Sequence, residues 1–165
     1  MGDIDIALAL LAQLIKDQSG VITRQQVFEC GLDSAFVRQR LRSGLWVPVY
    51  PGVYLTHTGE PTWLQRAWCA VLDAAPAVLS HSSALRAAER RDCSGHDDEA
   101  IHITVAAGRR VSRRPGVVVH HRALSPGLIH DNMRPPRIRL EEALLDIART
   151  ICAPSPASRT RFRRG

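Results

Sequence analysis

The sequence predicts an α+β protein with an N-terminal winged helix-turn-helix over residues 1–58 and a small mixed α+β domain over residues 61–150. Three observations predict it. In Gly20–Leu55, GVITRQQVFECGLDSAFVRQRLRSGLWVPVYPGVYL, two short helical runs flank a glycine and lead into two β-prone runs joined by a turn. A break at THTGEP, residues 56–61, is followed by helical and β-prone segments in alternation. After Cys152 the composition shifts to APSPASRTRFRRG, too poor in apolar residues to fold alone, so residues 151–165 read as a disordered basic tail.

The apolar stretch Ile4–Ile15 is flanked by Asp3, Asp5 and Lys16 and is too short to span a bilayer. It reads as an amphipathic helix packed under the helix-turn-helix. Thr23 precedes RQQVFEC, where a hydroxyl can cap the free amides of a first turn, and Val27 and Phe28 supply the buried stripe. Gly31 provides the positive φ that ends this helix, and Asp33 caps the next. In Ser34–Ser43, Val37 and Leu41 share a buried face that Ala35 and Phe36 widen. Ser34, Arg38 and Arg42 recur every four residues with Gln39 beside them, a polar row able to hydrogen-bond phosphates or base edges. Gly44 closes the helix. The runs 46–49 and 53–55 around Tyr50-Pro51-Gly52 form the wing. This order of elements serves mostly to put one helix into a DNA major groove. A merely solvated basic face, or a winged helix used as a protein contact, are the competing readings.

In the second part, Trp63–Ala74 is helical with Trp63, Ala67, Ala70 and Val71 on one side, and Pro76 stops it. A short strand at 77–80 and an alanine-rich helix at 82–90 follow, with Ser80 or Ser82 as its cap. RRDCSGHDDEA is a polar loop. Ile101–Val105 and Val117–His121 are β-prone and predict a hairpin with a long basic loop. That loop carries Arg109, Arg110, Arg113 and Arg114, candidate contacts to a DNA backbone. The last helix, Leu140–Thr150, is amphipathic through Leu140, Ala143, Leu144, Ile147 and Ala148.

With 165 residues and 45% apolar content the chain can bury a genuine core. The formal net charge of +6 is uneven: residues 1–60 hold five basic and six acidic side chains, 61–150 thirteen and ten, and the tail four arginines. Phosphate neutralisation dominates affinity for DNA, so DNA binding by the N-terminal part needs help from the second part or the tail. Only Lys16 among the 22 basic residues is lysine, a bias that reads as genomic GC content rather than as a binding signature. Cys30, Cys69, Cys93 and Cys152 form no Cys-x-x-Cys pair, as fits thiols in a reducing cytoplasm, and neither a signal peptide nor a membrane partner is expected.

Signs of enzymology are weak. His120 and His121 are adjacent on a strand, point to opposite faces and read as ordinary strand histidines. Cys93, His96, Asp97 and His102 match no zinc spacing, and Asp97-Asp98-Glu99 reads as an acidic loop. Ser80-His81-Ser82-Ser83 lacks the elbow of a nucleophilic serine, and no acidic-x-lysine pairing of a metal-dependent nuclease occurs. The expectation is a non-enzymatic protein with no cofactor and no metal.

The stretches GVITRQQVFECGLDSAFVRQRLRSGLWVPVYPGVYLT and PTWLQRAWCAVLDAAPAVLSHSSALRAAE resemble the AbiEi-like antitoxin family of type IV toxin-antitoxin systems, particularly actinobacterial forms. The more specific elements are Gly44-Leu45-Trp46 with Tyr50-Pro51-Gly52-Val53-Tyr54, then Leu79-Ser80-His81-Ser82-Ser83-Ala84, then Arg139–Ala148. The resemblance implies a bacterial repressor whose winged helix binds double-stranded DNA, the repeats of its own promoter, while the rest opposes a nucleotidyltransferase-like toxin. It places DNA contacts at Ser34, Arg38, Gln39 and Arg42, with Tyr50 and Gly52 of the wing near a phosphate. Such relatives usually continue well past the helix at 140–150, some into a Vsr-like endonuclease domain. This chain is therefore expected to lack a longer C-terminal region, and the alternatives to a DNA-binding repressor are a protein-interaction antitoxin that does not rely on DNA and an inactive remnant of a nuclease-fused protein.

Overall fold

A computed structural model describes residues 2–89, 99–130 and 132–152. Cys93, His96, Asp97 and Asp98 of the polar loop, and the tail from residue 153, lie outside these residues. The chain is α+β. It runs through α1 (Asp3–Asp17), β1 (Val21–Thr23), α2 (Arg24–Glu29), α3 (Ser34–Arg42), β2 (Val47–Tyr50) and β3 (Val53–Leu55), the order of a winged helix-turn-helix. It continues through α4 (Trp63–Asp73), β4 (Ala77–Leu79), α5 (His81–Glu89), β5 (Ile101–Ala106), β6 (Val117–Arg122) and α6 (Leu140–Cys152). No helix among the described residues is long and apolar enough to cross a membrane.

The predicted caps are in place. Thr23 Oγ1 accepts from the Gln26 amide at 3.1 Å while Gln26 Oε1 accepts from the Thr23 amide at 3.0 Å, a reciprocal capping box. Gly31, at φ +89°, turns the chain between α2 and α3, and Asp33 Oδ1 accepts from the Phe36 amide at 2.9 Å. A nine-residue helix is too short to hold itself in water, so this cap and the packing below it are what fix α3. Asp33→Ala is expected to cost about 0.5–2 kcal/mol, read as a lower urea midpoint with an unchanged slope.

The wing sheet has three strands in the order β1-β3-β2, both pairings antiparallel. Strand β1 was not expected. Val21-Ile22-Thr23 is short enough to pass for a helix lead-in, yet Val21 and Ile22 are fully buried and pair with Leu55 and Tyr54. Leu11, Ile22, Val27, Cys30, Val37, Trp46 and Tyr54 close one cluster under the helix-turn-helix, with Leu41 partly buried against it. Trp46 stacks on Tyr54 and meets Phe36 edge-on, both at 5.9 Å. Two expected core residues are not core. Phe28 is 43% exposed with the Arg24 guanidinium over its ring, and Ala35 lies on the outer face of α3, because Val27 and Val37 already fill the shared interior.

A second cluster, Val21, Val53, Leu55, Trp68 and Cys69, packs α4 against the wing sheet. Burial pushes the Cys69 thiol up to about 12, so it stays protonated. Gln65 makes the same connection with hydrogen bonds: its Nε2 donates to the Ser19 carbonyl at 2.8 Å and its Oε1 accepts from the Thr62 amide at 2.9 Å. Gly20 sits beneath it at φ +88°, where a Cβ would lie 3.3 Å from Thr56 Oγ1 and 3.4 Å from Gln65 Nε2.

The second sheet has the order β4-β5-β6, with β4 antiparallel to β5. The expected hairpin is replaced by a parallel pair, β5 beside β6 in the register Ile101↔Val117 to Ala106↔Arg122. The arginine-rich segment therefore runs back along the sheet as a crossover. It is held at both ends, where the Ile101 amide donates to Gly116 O and the Ala107 amide donates to Arg122 O. Ile101, Ile103 and Val105 are buried with Trp63, Ala67, Ala70 and Val71 of α4. The inward face of α6 is also rotated from expectation. Ala143 is buried while Leu140, Leu144 and Leu145 are exposed, because Glu142 and Asp146 turn inward to pair with Arg122 of β6 at 2.6 and 3.2 Å.

Candidate nucleic-acid interface

Asp33 and Gly31 set the start of α3, and Val37, with Phe36 leaning on Trp46, sets its rotation. The opposite face carries Ser34, Ala35, Arg38, Gln39 and Arg42, which a helical period places within one arc. All but Ser34 are exposed. Among the described residues no carboxylate pairs with Arg38 or Arg42, so both guanidinium groups keep their donors for a ligand. Arg40 is spent differently, its guanidinium lying 4.8 Å over the Phe36 ring. Ala35 lies within the arc, and its small side chain leaves room for close approach of a groove wall.

The remaining expected contacts divide. Gly52 turns the wing at φ +80°, and its carbonyl accepts from the Arg24 amide at 2.8 Å, tying the wing to the start of α2. Tyr50 is half-buried, and its hydroxyl pKa is raised mainly by that burial. The Arg114 guanidinium covers its ring at 4.9 Å and forks onto Asp73 at 2.8 and 3.0 Å. Arg114 thus joins the crossover to the wing and to the end of α4. Arg109 donates to the Pro76 carbonyl at 2.9 Å and to that of Ala75. Arg110 and Arg113, between these two anchors, are exposed and unpaired among the described residues. The structure therefore gathers Ser34, Arg38, Gln39 and Arg42 on one face and leaves Arg110 and Arg113 open on the crossover. Tyr50, Gly52, Arg109 and Arg114 take part in contacts within the chain.

Sequence reasoning missed one constellation. His81, His102 and His120 come together from three elements, with one ring nitrogen of each within 4.8 Å of the others. His120 is not an ordinary strand histidine. The parallel register puts His102 and His120 on the same face of the sheet, and α5 brings His81 over them. His121, as expected, lies apart and is exposed. Ser82 lies inside α5 rather than capping it, and the Ser80 hydroxyl is 3.2 Å from His81 Nδ1. Burial first, then the nearby histidines, push His120 down to about 4; burial likewise lowers His81 and His102. At neutral pH all three rings are uncharged.

Residues 9–57, which hold the helix-turn-helix and the wing, match the family model described as "Transcriptional regulator, AbiEi antitoxin". This is the region that begins the resemblance seen in the sequence. No curated protein matches the chain. Among solved structures, it is similar to the RV2827C protein from Mycobacterium tuberculosis at 21% identity and a TM-score of 0.38, covering 72% of this chain and 46% of that one. The chain thus spans under half the length of that protein.

Proposed function

We propose that the chain is a transcriptional regulator of antitoxin type in which α3 enters the major groove of promoter DNA. In this reading residues 1–58 are the reading head and 61–150 the body that carries it. The observation that supports it most is the exposed row of Arg38, Gln39 and Arg42, unpaired among the described residues, with Ser34 beside it, on a helix locked at its start and along its buried side. Arginine donors match guanine O6 and N7, and Gln39 matches adenine. The test is a binding titration on the DNA upstream of its own reading frame, against scrambled DNA of equal length. Tighter binding to the upstream DNA than to the scrambled DNA is the expected result; equal affinity for both DNAs would refute site-specific reading.

The charge balance assigns a second task to the crossover. With the first 60 residues net negative, Arg110 and Arg113 are exposed cations of the crossover that can add phosphate contacts. Arg110→Ala with Arg113→Ala is expected to shallow the salt dependence of binding by up to about two units and to leave site preference intact. An unchanged slope would remove these residues from the interface. The antitoxin half of the proposal is tested separately: co-expression with a nucleotidyltransferase-like toxin should restore growth. It is independent of DNA reading if Arg38→Ala with Arg42→Ala still rescues while repression is lost.

A further inference from the structure

We infer that His81, His102 and His120 form a binding site for a first-row divalent transition metal, with zinc(II) as the ion that suits it. The inference does not depend on DNA binding.

The arrangement supplies what such an ion needs. Three imidazoles are a sufficient protein ligand set for zinc, and a fourth position is left to solvent. His102 Nδ1 and His120 Nε2 face each other at 3.0 Å. Two nitrogens bound to one zinc at about 2.0–2.1 Å lie about 2.9–3.4 Å apart, so this pair is already at ligand spacing. Without an ion the contact is a hydrogen bond in which one ring must donate; with an ion both nitrogens turn their lone pairs to the metal. The third ring stacks on His120 with centroids 3.8 Å apart and planes 18° apart, so capture requires His81 to swing until its free nitrogen converges on the same point.

The surroundings prepare the rings for this. Fully buried Ser80 stands at His81 Nδ1, an outer partner that leaves Nε2 as the ligand atom. His81 also holds φ +49°, a left-handed conformation that a residue with a Cβ keeps only where its surroundings enforce it. The Ser83 hydroxyl accepts from the His102 amide at 2.8 Å and ties α5 to β5 beside the cluster. Asp146 lies near enough to act on His81 and His120 electrostatically, but Arg122 and Arg149 hold its carboxylate as an outer charge. His81 is buried and the other two rings are half-buried, so a solvent molecule can reach the cluster and complete the shell.

The experiment uses the full chain, tag-free and stripped with chelator, titrated with zinc(II) by calorimetry and with cobalt(II) by visible absorption. The expected result is one ion per chain, cobalt bands of low-symmetry nitrogen coordination, and a melting temperature that rises with zinc concentration. His81→Ala, His102→Ala and His120→Ala should each weaken binding by more than about 100-fold, beyond what loss of an outer-shell partner costs. His121→Ala, on the other face of the same strand, should leave it unchanged. Should an alanine variant fail to fold, ring-nitrogen NMR of the wild type decides: zinc must shift three histidines and no others. No stoichiometric binding, binding that persists in the triple variant, or zinc shifts at other histidines would overturn the proposal.

Discussion

Trp46→Ala is expected to destabilise the protein by about 3–5 kcal/mol, the range for losing a buried large aromatic side chain. Trp46 is 6% exposed and sits between α3 and the wing. Its indole stacks on Tyr54 and takes the edge of Phe36, two aromatic contacts that add to the area it buries. Its backbone amide also donates to the Arg40 carbonyl at 3.2 Å, closing the C-terminal turn of α3. Domains of this size have about 5–15 kcal/mol in total, so the loss is a large share of what holds the fold. Urea unfolding measures it, and Trp46→Phe should recover a good part. A cost below about 1 kcal/mol would mean that Trp46 is not the centre of this cluster.

The winged helix was legible because its determinants are local. Thr23, Gly31, Asp33, Gly44 and Gly52 each act within four residues of themselves, and all do so in the structure. What failed was decided by distant partners. The crossover that makes β5 and β6 parallel is held by Arg109 on carbonyls near residue 76 and by Arg114 on the Asp73 carboxylate, contacts that periodicity does not reveal. The face of α6 was misjudged for a similar reason. Hydrophobic pattern favoured Leu144, but an ion pair with Arg122 turns Glu142 and Asp146 inward instead. The histidine cluster could have been found only from the register of that parallel pair. Alternation alone puts His120 on one face of its strand and His121 on the other. Without the register, nothing in the sequence says which face meets His102.

Arg38→Ala and Arg42→Ala are each expected to weaken binding to the preferred promoter site by about 1–3 kcal/mol, with a much smaller effect on scrambled DNA. The two guanidinium groups are one helical turn apart on the same exposed face, close enough that their contributions need not add. The double variant therefore carries the decisive measurement: a specificity ratio approaching unity while the fold, followed by circular dichroism, is unchanged. Arg→Lys at the same positions separates the two roles that arginine has at a groove. Lysine keeps the charge that neutralises phosphate but loses the planar fork that matches guanine, so affinity for scrambled DNA should return while site preference does not. Arg139→Ala, an exposed arginine just before α6, serves as the control and should change neither. If lysine restores full site preference, Arg38 and Arg42 only position the backbone, and sequence is read by Ser34, Gln39 or the shape of the DNA instead.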